Sequence, residues 1–371
     1  MYKINKEDMQ VIVNGASFLA SGGGGGVSSA NDVIDNIVSF AKEVKVVDVN
    51  EVSSADALLV VCGVGAPDAP NLNFKNSPAY GLQDLQSITG KKFHYVLPIE
   101  VGAMNSMIPL LACAKLGIPF IDADGAGRSV PQMSMCTYAL KGFDTKDTLV
   151  VSEENDQYPL HPDNAVEMEA QVREVVSTKL QDAGTVATWP MQGANIKSAE
   201  ALVPGSLKLA HRVGIAMAST QPLDAVISTI KDFYKSHRIV MRNAKVTGAT
   251  NKVEDGFDIG TVTLQDTNHP SVTAKIYFVN ESLLTTIDNN GQPTEFLMGP
   301  DMICCMGTNG EAMTNSEICS QYSAGKAVNI SLVWIEAREE IRKPSIFFMY
   351  QKLLAEKFGT IDYLVNYTFY K

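Results

Sequence analysis

Three stretches of the chain combine residue types and spacings that suit chemistry. The first is Ser21-Gly22-Gly23-Gly24-Gly25-Gly26. Five glycines are entropically expensive to order. Such a run is either a flexible connector between helices or a place where backbone approaches a ligand closely. It leads into a helix start, where free N–H groups and the helix dipole favour an anion. The run follows a helix pattern and not a strand, and no Gly-Lys-Ser/Thr accompanies it. No nucleotide is therefore expected.

The second stretch is Pro98-Ile99-Glu100-Val101-Gly102-Ala103-Met104-Asn105, between an apolar strand pattern and a helix. The carboxyl end of a parallel strand faces the usual ligand crevice of an open α/β sheet. Glu100 is a candidate general base or metal ligand there. Asn105 is a candidate substrate donor, or simply a helix cap. The third stretch is Asp122-Ala123-Asp124-Gly125-Ala126-Gly127-Arg128. Two carboxylates two residues apart share one side of a continuous strand. With Arg128 they could orient water and bind a cyclic amide or carboxylate. The plainer expectation is an ion pair between Arg128 and one aspartate.

Other candidates are thinner. The five histidines show no HExxH or HxH spacing, so no local zinc site is expected. His211 reads as a structural helix residue. No GxSxG elbow occurs, and the six cysteines form no CxxC pair. They read as reduced, mostly buried thiols of a cytoplasmic protein. Trp189 either lines a pocket or packs a domain junction, and Asn280 and Glu281 either bond opposing loops or form a turn.

The elements that must position these residues follow from periodicity. Asn5 caps a helix with Met9, Ile12, Val13, Ala16 and Leu19 on one face. Ser28 or Ser29 caps a second helix carrying Val33, Ile34, Ile37 and Val38. Apolar strands at Val44–Val49, Ala57–Val64, Phe93–Leu97 and Ile118–Ile121 alternate with helices, one of which runs about Asn105–Leu116 and is ended by Gly117. This pattern predicts an α/β N-terminal domain, residues 1–165, with a mostly parallel sheet. Residues 166–371 begin with helices at about Asn164–Leu180, Ser206–Ala218 and Pro222–Lys235. Strands then follow, separated by turn signals such as Asp255-Gly256 and Asn290-Gly291, and predict a β-rich C-terminal domain interrupted by a helix near Phe348–Phe358.

Composition bounds the function. With 371 residues, 45% of them hydrophobic, the chain can bury two cores. A formal charge of −11 repels phosphate backbones and anionic lipid, so neither nucleic acid nor membrane is an expected partner. The charged start Met1–Asp8 is followed by no apolar signal core, so no secretory leader is expected. The low charged fraction, 19%, suggests a homo-oligomer.

In order along the chain, the glycine run, Gly63-Val64-Gly65-Ala66-Pro67, Glu100–Asn105, Asp122–Pro131, Pro204-Gly205-Ser206, Phe278–Glu281, Gly299–Ile303 and Phe358-Gly359 resemble the S-methyl thiohydantoin desulfurase domain family. The resemblance covers nearly the whole chain. It implies the same two-part fold and hydrolysis of a sulfur-substituted hydantoin or related cyclic amide, with kinship to hydantoinase and oxoprolinase systems. Ala103 stands where the family usually has a second glycine, and Gly205-Ser206 where it often has Gly-Thr. The helix near Phe348–Phe358 looks inserted relative to a shorter family tail.

Water attack on such a ring carbon needs a base, donors for developing negative charge and a clamp. Glu100, Asp122 and Asp124 are the candidate bases or holders of a divalent metal. Gly22–Gly26 supply backbone donors. Arg128 and Asn105, with Gly125 and Gly127 opening the turn, fix the ring. The alternative is a non-catalytic subunit that binds a small metabolite and partners a hydantoinase- or oxoprolinase-like enzyme. Either reading requires Gly22–Gly26, Glu100, Asn105 and Asp122–Arg128 to meet at one cavity.

Overall fold

The computed structural model describes residues 1–65, 74–181, 183–198, 200–254 and 256–359. The expected Ala66-Pro67 of the second family motif and Asp255 of one turn lie outside them.

The N-terminal part is an eight-stranded sheet with helices on its faces. Its strand order is Tyr2–Ile4, Val44–Val47, Phe120–Ile121, Tyr95–Leu97, Ala57–Gly65, Ala183–Gln192, Thr148–Val151, Gln157–Leu160. The sheet is mixed, which corrects the expectation of a mostly parallel one. Among the described residues only the strands from Val44–Val47 to Ala57–Gly65 in this order run parallel. Helical crossovers Ser77–Thr89 and Ala103–Leu116 join three of them, and such connections produce parallel neighbours. The other pairings are antiparallel. The strand Ala183–Gln192 returns to pair with Ala57–Gly65, so the N-terminal sheet recruits chain from beyond the long helix Ala165–Lys179.

The first helix, Lys6–Leu19, forms as its pattern requires. Asn5 and Asp8 make a reciprocal capping box, and Met9, Ile12, Val13, Ala16 and Leu19 are buried. The second, Val27–Phe40, is capped by Gly26 and not by Ser28 or Ser29, because the chain is already helical at Val27. The helix Ala103–Leu116 starts two residues before Asn105, with Gly102 as its cap, which releases Asn105 from capping. Gly117 ends it with φ of 69°, the left-handed turn that glycine permits.

The C-terminal part is a seven-stranded antiparallel sheet ordered Gln292–Met298, Glu281–Asn289, Val272–Val279, Phe257–Asp266, His237–Glu254, Asn329–Ile335, Met302–Gly307. Periodicity left out Glu281–Asn289 and Gln292–Met298: the first is buried on both faces and shows no alternation, and the second carries Pro293. Helix Pro344–Phe358 closes one side of this part, with Ile346, Tyr350, Leu353 and Leu354 in a cluster with Leu283, Leu284 and Met298.

The glycine loop joins the two parts. Ser21 O accepts from Ser282 N–H, Gly22 O from Asn315 N–H, and Ser21 Oγ from Ile303 N–H, while Gly24 O accepts from Met104 N–H. Among the described residues no helix is long and apolar enough to cross a membrane.

Candidate active site

A cavity of about 650 Å³, counting the space at its open mouth, lies where the two parts meet. Gly24 and Gly25 line one side. Glu100 and Asn105 come from the loop and helix that follow strand Tyr95–Leu97. Asn280 and Glu281 come from the second sheet, and Arg173 from the long helix. Apolar walls are supplied by Phe74, Met104, Ile108 and Val130.

The glycine loop fits only because it lacks side chains. A Cβ on Gly23 would lie 2.0 Å from Glu281 Oε1, one on Gly24 2.4 Å from Ser129 Oγ, and one on Gly25 2.6 Å from Met104. Gly24 and Gly25 also have φ of 72° and 81°. No acceptor among the described residues receives the N–H of Gly24 or Gly25. The run is therefore an ordered wall between Glu281 and Ser129.

Glu100 is 5% exposed and held at both oxygens: Asn105 Nδ2 donates to Oε1 at 2.8 Å and Val130 N–H to Oε2 at 2.7 Å. Burial pushes its carboxyl up to about 7, against the pull of these two donors. Asn105 Oδ1 in turn accepts from Gly63 N–H, so its amide bridges the strand Ala57–Gly65 to Glu100. Glu281 starts its strand directly after Asn280, whose φ of 54° is a left-handed turn that asparagine tolerates. Asn280 is fixed by exchanging hydrogen bonds with the backbone of Asp258. Glu281 is 2% exposed, and its Oε2 has no hydrogen-bond partner among the described residues. Burial, then the charge of Glu100, pushes Glu281 up to about 8. Burial thus opposes the ionisation of both carboxyls, the charge of Glu100 opposes that of Glu281, and protons are held near neutral pH.

The third predicted stretch lies elsewhere, so the expected meeting of all these stretches at one cavity is not found: none of Asp122–Arg128 lines it. The strand breaks at Asp122, between Phe120–Ile121 and Ala123–Asp124. Asp122 accepts from Leu207 N–H and from Tyr2 Oη, and Asp124 from Ser206 Oγ and the N–H groups of Ala126 and Gly127. Both bind the start of helix Ser206–Met217 or the turn beside it, and neither lines the cavity of Glu100. Gly125 packs against Ile99 O and Tyr138, and Gly127 against Arg338 and Val203. The expected ion pair of Arg128 with one of these aspartates is not made: Nε donates to Ser129 O, and Nη1 to Pro300 O and Asp301 O. Trp189 is fully buried beside Tyr138, ring centroids 5.5 Å apart, and packs the core of the first sheet. His211 is a helix residue facing Asp8.

The structure brings together Gly24, Gly25, Glu100 and Asn105, with Gly23 in the wall behind them, and adds Glu281, Arg173 and Cys62. Only the hint of an Asn-Glu pair at a strand end marked Glu281 in the sequence, and nothing local marked Arg173 or Cys62. Arg173 donates to Glu169 at 2.8 Å and stacks on Phe257. Burial, then Glu100, raises the Cys62 thiol well above its ordinary range, so it is a poor nucleophile. As for a divalent metal, no group of three or more His, Cys, Asp or Glu side chains converges among the described residues, and both Glu100 oxygens already accept hydrogen bonds. The donor set does not fit a metal.

No curated protein matches the chain. An X-ray crystal structure of a protein from Chromobacterium violaceum is similar over 96% of this chain and 97% of that one, with 26% identity and a TM-score of 0.79. The S-Me-THD-like N-terminal domain matches residues 7–162 and the S-Me-THD-like C-terminal domain residues 163–345. With both halves matched in order, the chain belongs to the S-Me-THD-like family.

Proposed function

We propose that the chain is a hydrolase that replaces the sulfur substituent of a thiohydantoin-type ring with oxygen. The observation that carries this reading is the acid pair: Glu100, accepting at both oxygens, and Glu281, with one oxygen unpartnered, on the wall of a single cavity. Membership of the S-Me-THD-like family supports the substrate class.

A carboxyl that only accepts hydrogen bonds is best suited to the ionised form, and one lacking donors to the protonated form. Glu100 then takes a proton from water as the water oxygen bonds to the ring carbon that carries sulfur. Charge builds on the ring atom beside that carbon, where the N–H groups of Gly24 and Gly25 can donate to it. The carbon–sulfur bond breaks, the sulfur leaves as a thiol with a proton from Glu281, the second proton of the water passes to the ring nitrogen beside that carbon, and the ring carbon keeps the water oxygen as a carbonyl. Glu100 and Glu281 exchange roles of proton holder, so the pair resets by moving one proton. Asn105 holds Glu100 in place. Asp124 braces the turn that leads to Ser129 and Val130, and Asp122 holds the start of helix Ser206–Met217.

The test is thiol release from an S-methyl thiohydantoin by the purified chain, with Glu100→Gln and Glu281→Gln. Each variant is expected to lower turnover about 10²–10⁴-fold. If neither does, the assignment is wrong. Calorimetric binding of the ring with no product at any pH would favour the non-catalytic binding subunit instead.

A further inference from the structure

Arg128 is a buried cation that the proposed chemistry leaves unused. Its side chain is 1% exposed. Nε and Nη1 donate to the backbone carbonyls of Ser129, Pro300 and Asp301, and Nη2 has no hydrogen-bond partner among the described residues. Carbonyl dipoles accept from Nε and Nη1 but do not neutralise its charge, and an uncompensated buried charge is costly.

The surroundings of Arg128 lead to Glu281. Its guanidinium carbon lies 5.5 Å from the ring centre of Tyr350, whose hydroxyl is also buried without a hydrogen-bond partner among the described residues. Gly299, beside the Pro300 that binds Arg128, presses on the Tyr350 ring and donates its N–H to Leu283 O, two residues from Glu281. On the other side Ser129 packs on Gly24 and Glu281 on Gly23. Orphaned polar atoms of Arg128, Tyr350 and Glu281 therefore belong to one buried layer behind the glycine wall.

We propose that Arg128 is a positioning residue: from behind the cavity its fixed charge keeps one negative charge on the Glu100–Glu281 pair, so that one carboxyl is ionised and the other protonated when substrate arrives. This rests on the acid-pair reading above. Two carboxyls buried together each favour the neutral form, and a doubly protonated pair contains no base. Among the described residues the charges that act on Glu281 include Glu100, Arg128 and Arg173, and those that act on Glu100 include Asp124 and Arg128. Arg173 already pairs with Glu169. Arg128, which pairs with no carboxylate among the described residues, is the cation left to balance the pair, and in a low-dielectric interior it does so without contact.

The deciding experiment titrates the protonated-carboxyl infrared band that disappears in Glu281→Gln, and needs no substrate. In Arg128→Gln the midpoint of that band is expected to rise by about one pH unit or more, and Arg128→Lys to restore it. With substrate, Arg128→Gln is expected to lower kcat at least about tenfold with KM little changed, and to shift the acidic limb of the pH profile by the same amount. An unmoved infrared midpoint in a folded Arg128→Gln overturns the proposal. Should that variant not fold, the wild type decides: the Arg128 Nη resonance should follow the carboxyl titration, and a resonance that stays flat across it overturns the proposal. If Glu100→Gln and Glu281→Gln both keep full turnover, the hydrolytic reading fails while the infrared titration still judges Arg128.

Discussion

Asn105 ties two cavity walls together: its Oδ1 accepts from Gly63 N–H at 2.8 Å, and its Nδ2 donates to Glu100 Oε1 at 2.8 Å. The Gly63 contact fixes which end of the amide faces Glu100, because only Nδ2 is left to donate. Asn105→Asp removes that donor and sets a second acid against Glu100. Turnover should fall about 10²-fold, with the acidic limb of the pH profile moved upward. Asn105→Ala should in addition lose about 1–3 kcal/mol of stability by orphaning the Gly63 N–H. Steady-state kinetics over pH and denaturant unfolding measure the two effects separately.

Gly23 is a sharper probe of the wall. Its Cβ would fall 2.0 Å from Glu281 Oε1, and no backbone strain intervenes, since its φ is not in the left-handed region. Gly23→Ala therefore acts through the carboxyl alone. Turnover should drop at least about tenfold through misplacement of Glu281. The stability cost should be about 1–3 kcal/mol, as for other overpacked sites. A Gly23→Ala protein with wild-type kinetics would separate Glu281 from the chemistry.

Much of the frame was legible in the sequence because it is local. Asn5 with Asp8, the apolar stripe from Met9 to Leu19 and the stop at Gly117 are each decided within a few residues. The β-rich second part was legible from its turn signals. The sheet's mixed character was not, since the pairing of Ala183–Gln192 with Ala57–Gly65 spans more than a hundred residues of chain. The site divides in the same way. Glu100 and Asn105 sit in one short stretch, so their spacing was informative. Asp122 and Asp124 have an equally suggestive spacing, yet the strand breaks at Asp122, and Ser206, Leu207 and Tyr2 claim their oxygens. Glu281 becomes an acid-pair member only because the second sheet delivers it to the glycine loop, a long-range fact that periodicity does not encode.

Asp124 separates bracing from chemistry. It accepts from Ser206 Oγ, Ala126 N–H and Gly127 N–H, and burial pushes its carboxyl up to about 6. Asp124→Ala should orphan two buried N–H groups, each worth about 1–3 kcal/mol. Asp124→Asn can keep an acceptor toward the N–H groups while its amide faces Ser206 Oγ, and should restore most of the loss. Both variants, once folded, should retain far more turnover than Glu100→Gln. Thermal melts and kinetics on the same preparations check the ranking.

Glu281 also predicts how stability depends on pH. In the unfolded chain its carboxyl titrates at an ordinary value of 4.5, and in the folded protein at about 8. Between those values the folded state binds more protons than the unfolded state, so stability falls as pH rises. Its contribution is complete below about 4.5 and is lost as pH rises through about 8. Each pH unit in that window is worth at most about 1.4 kcal/mol, and Glu100, raised in the same direction, shares the proton count. Glu281→Gln keeps the buried amide neutral at every pH. It should flatten the decline, so the variant gains on the wild type as pH rises from 5 to about 8, by a few kcal/mol at most. Urea unfolding at stepped pH measures the slope for both proteins. A wild-type stability that stays level or rises across this window, parallel to that of Glu281→Gln, would mean that Glu281 is ionised in the folded state and cannot serve as the acid.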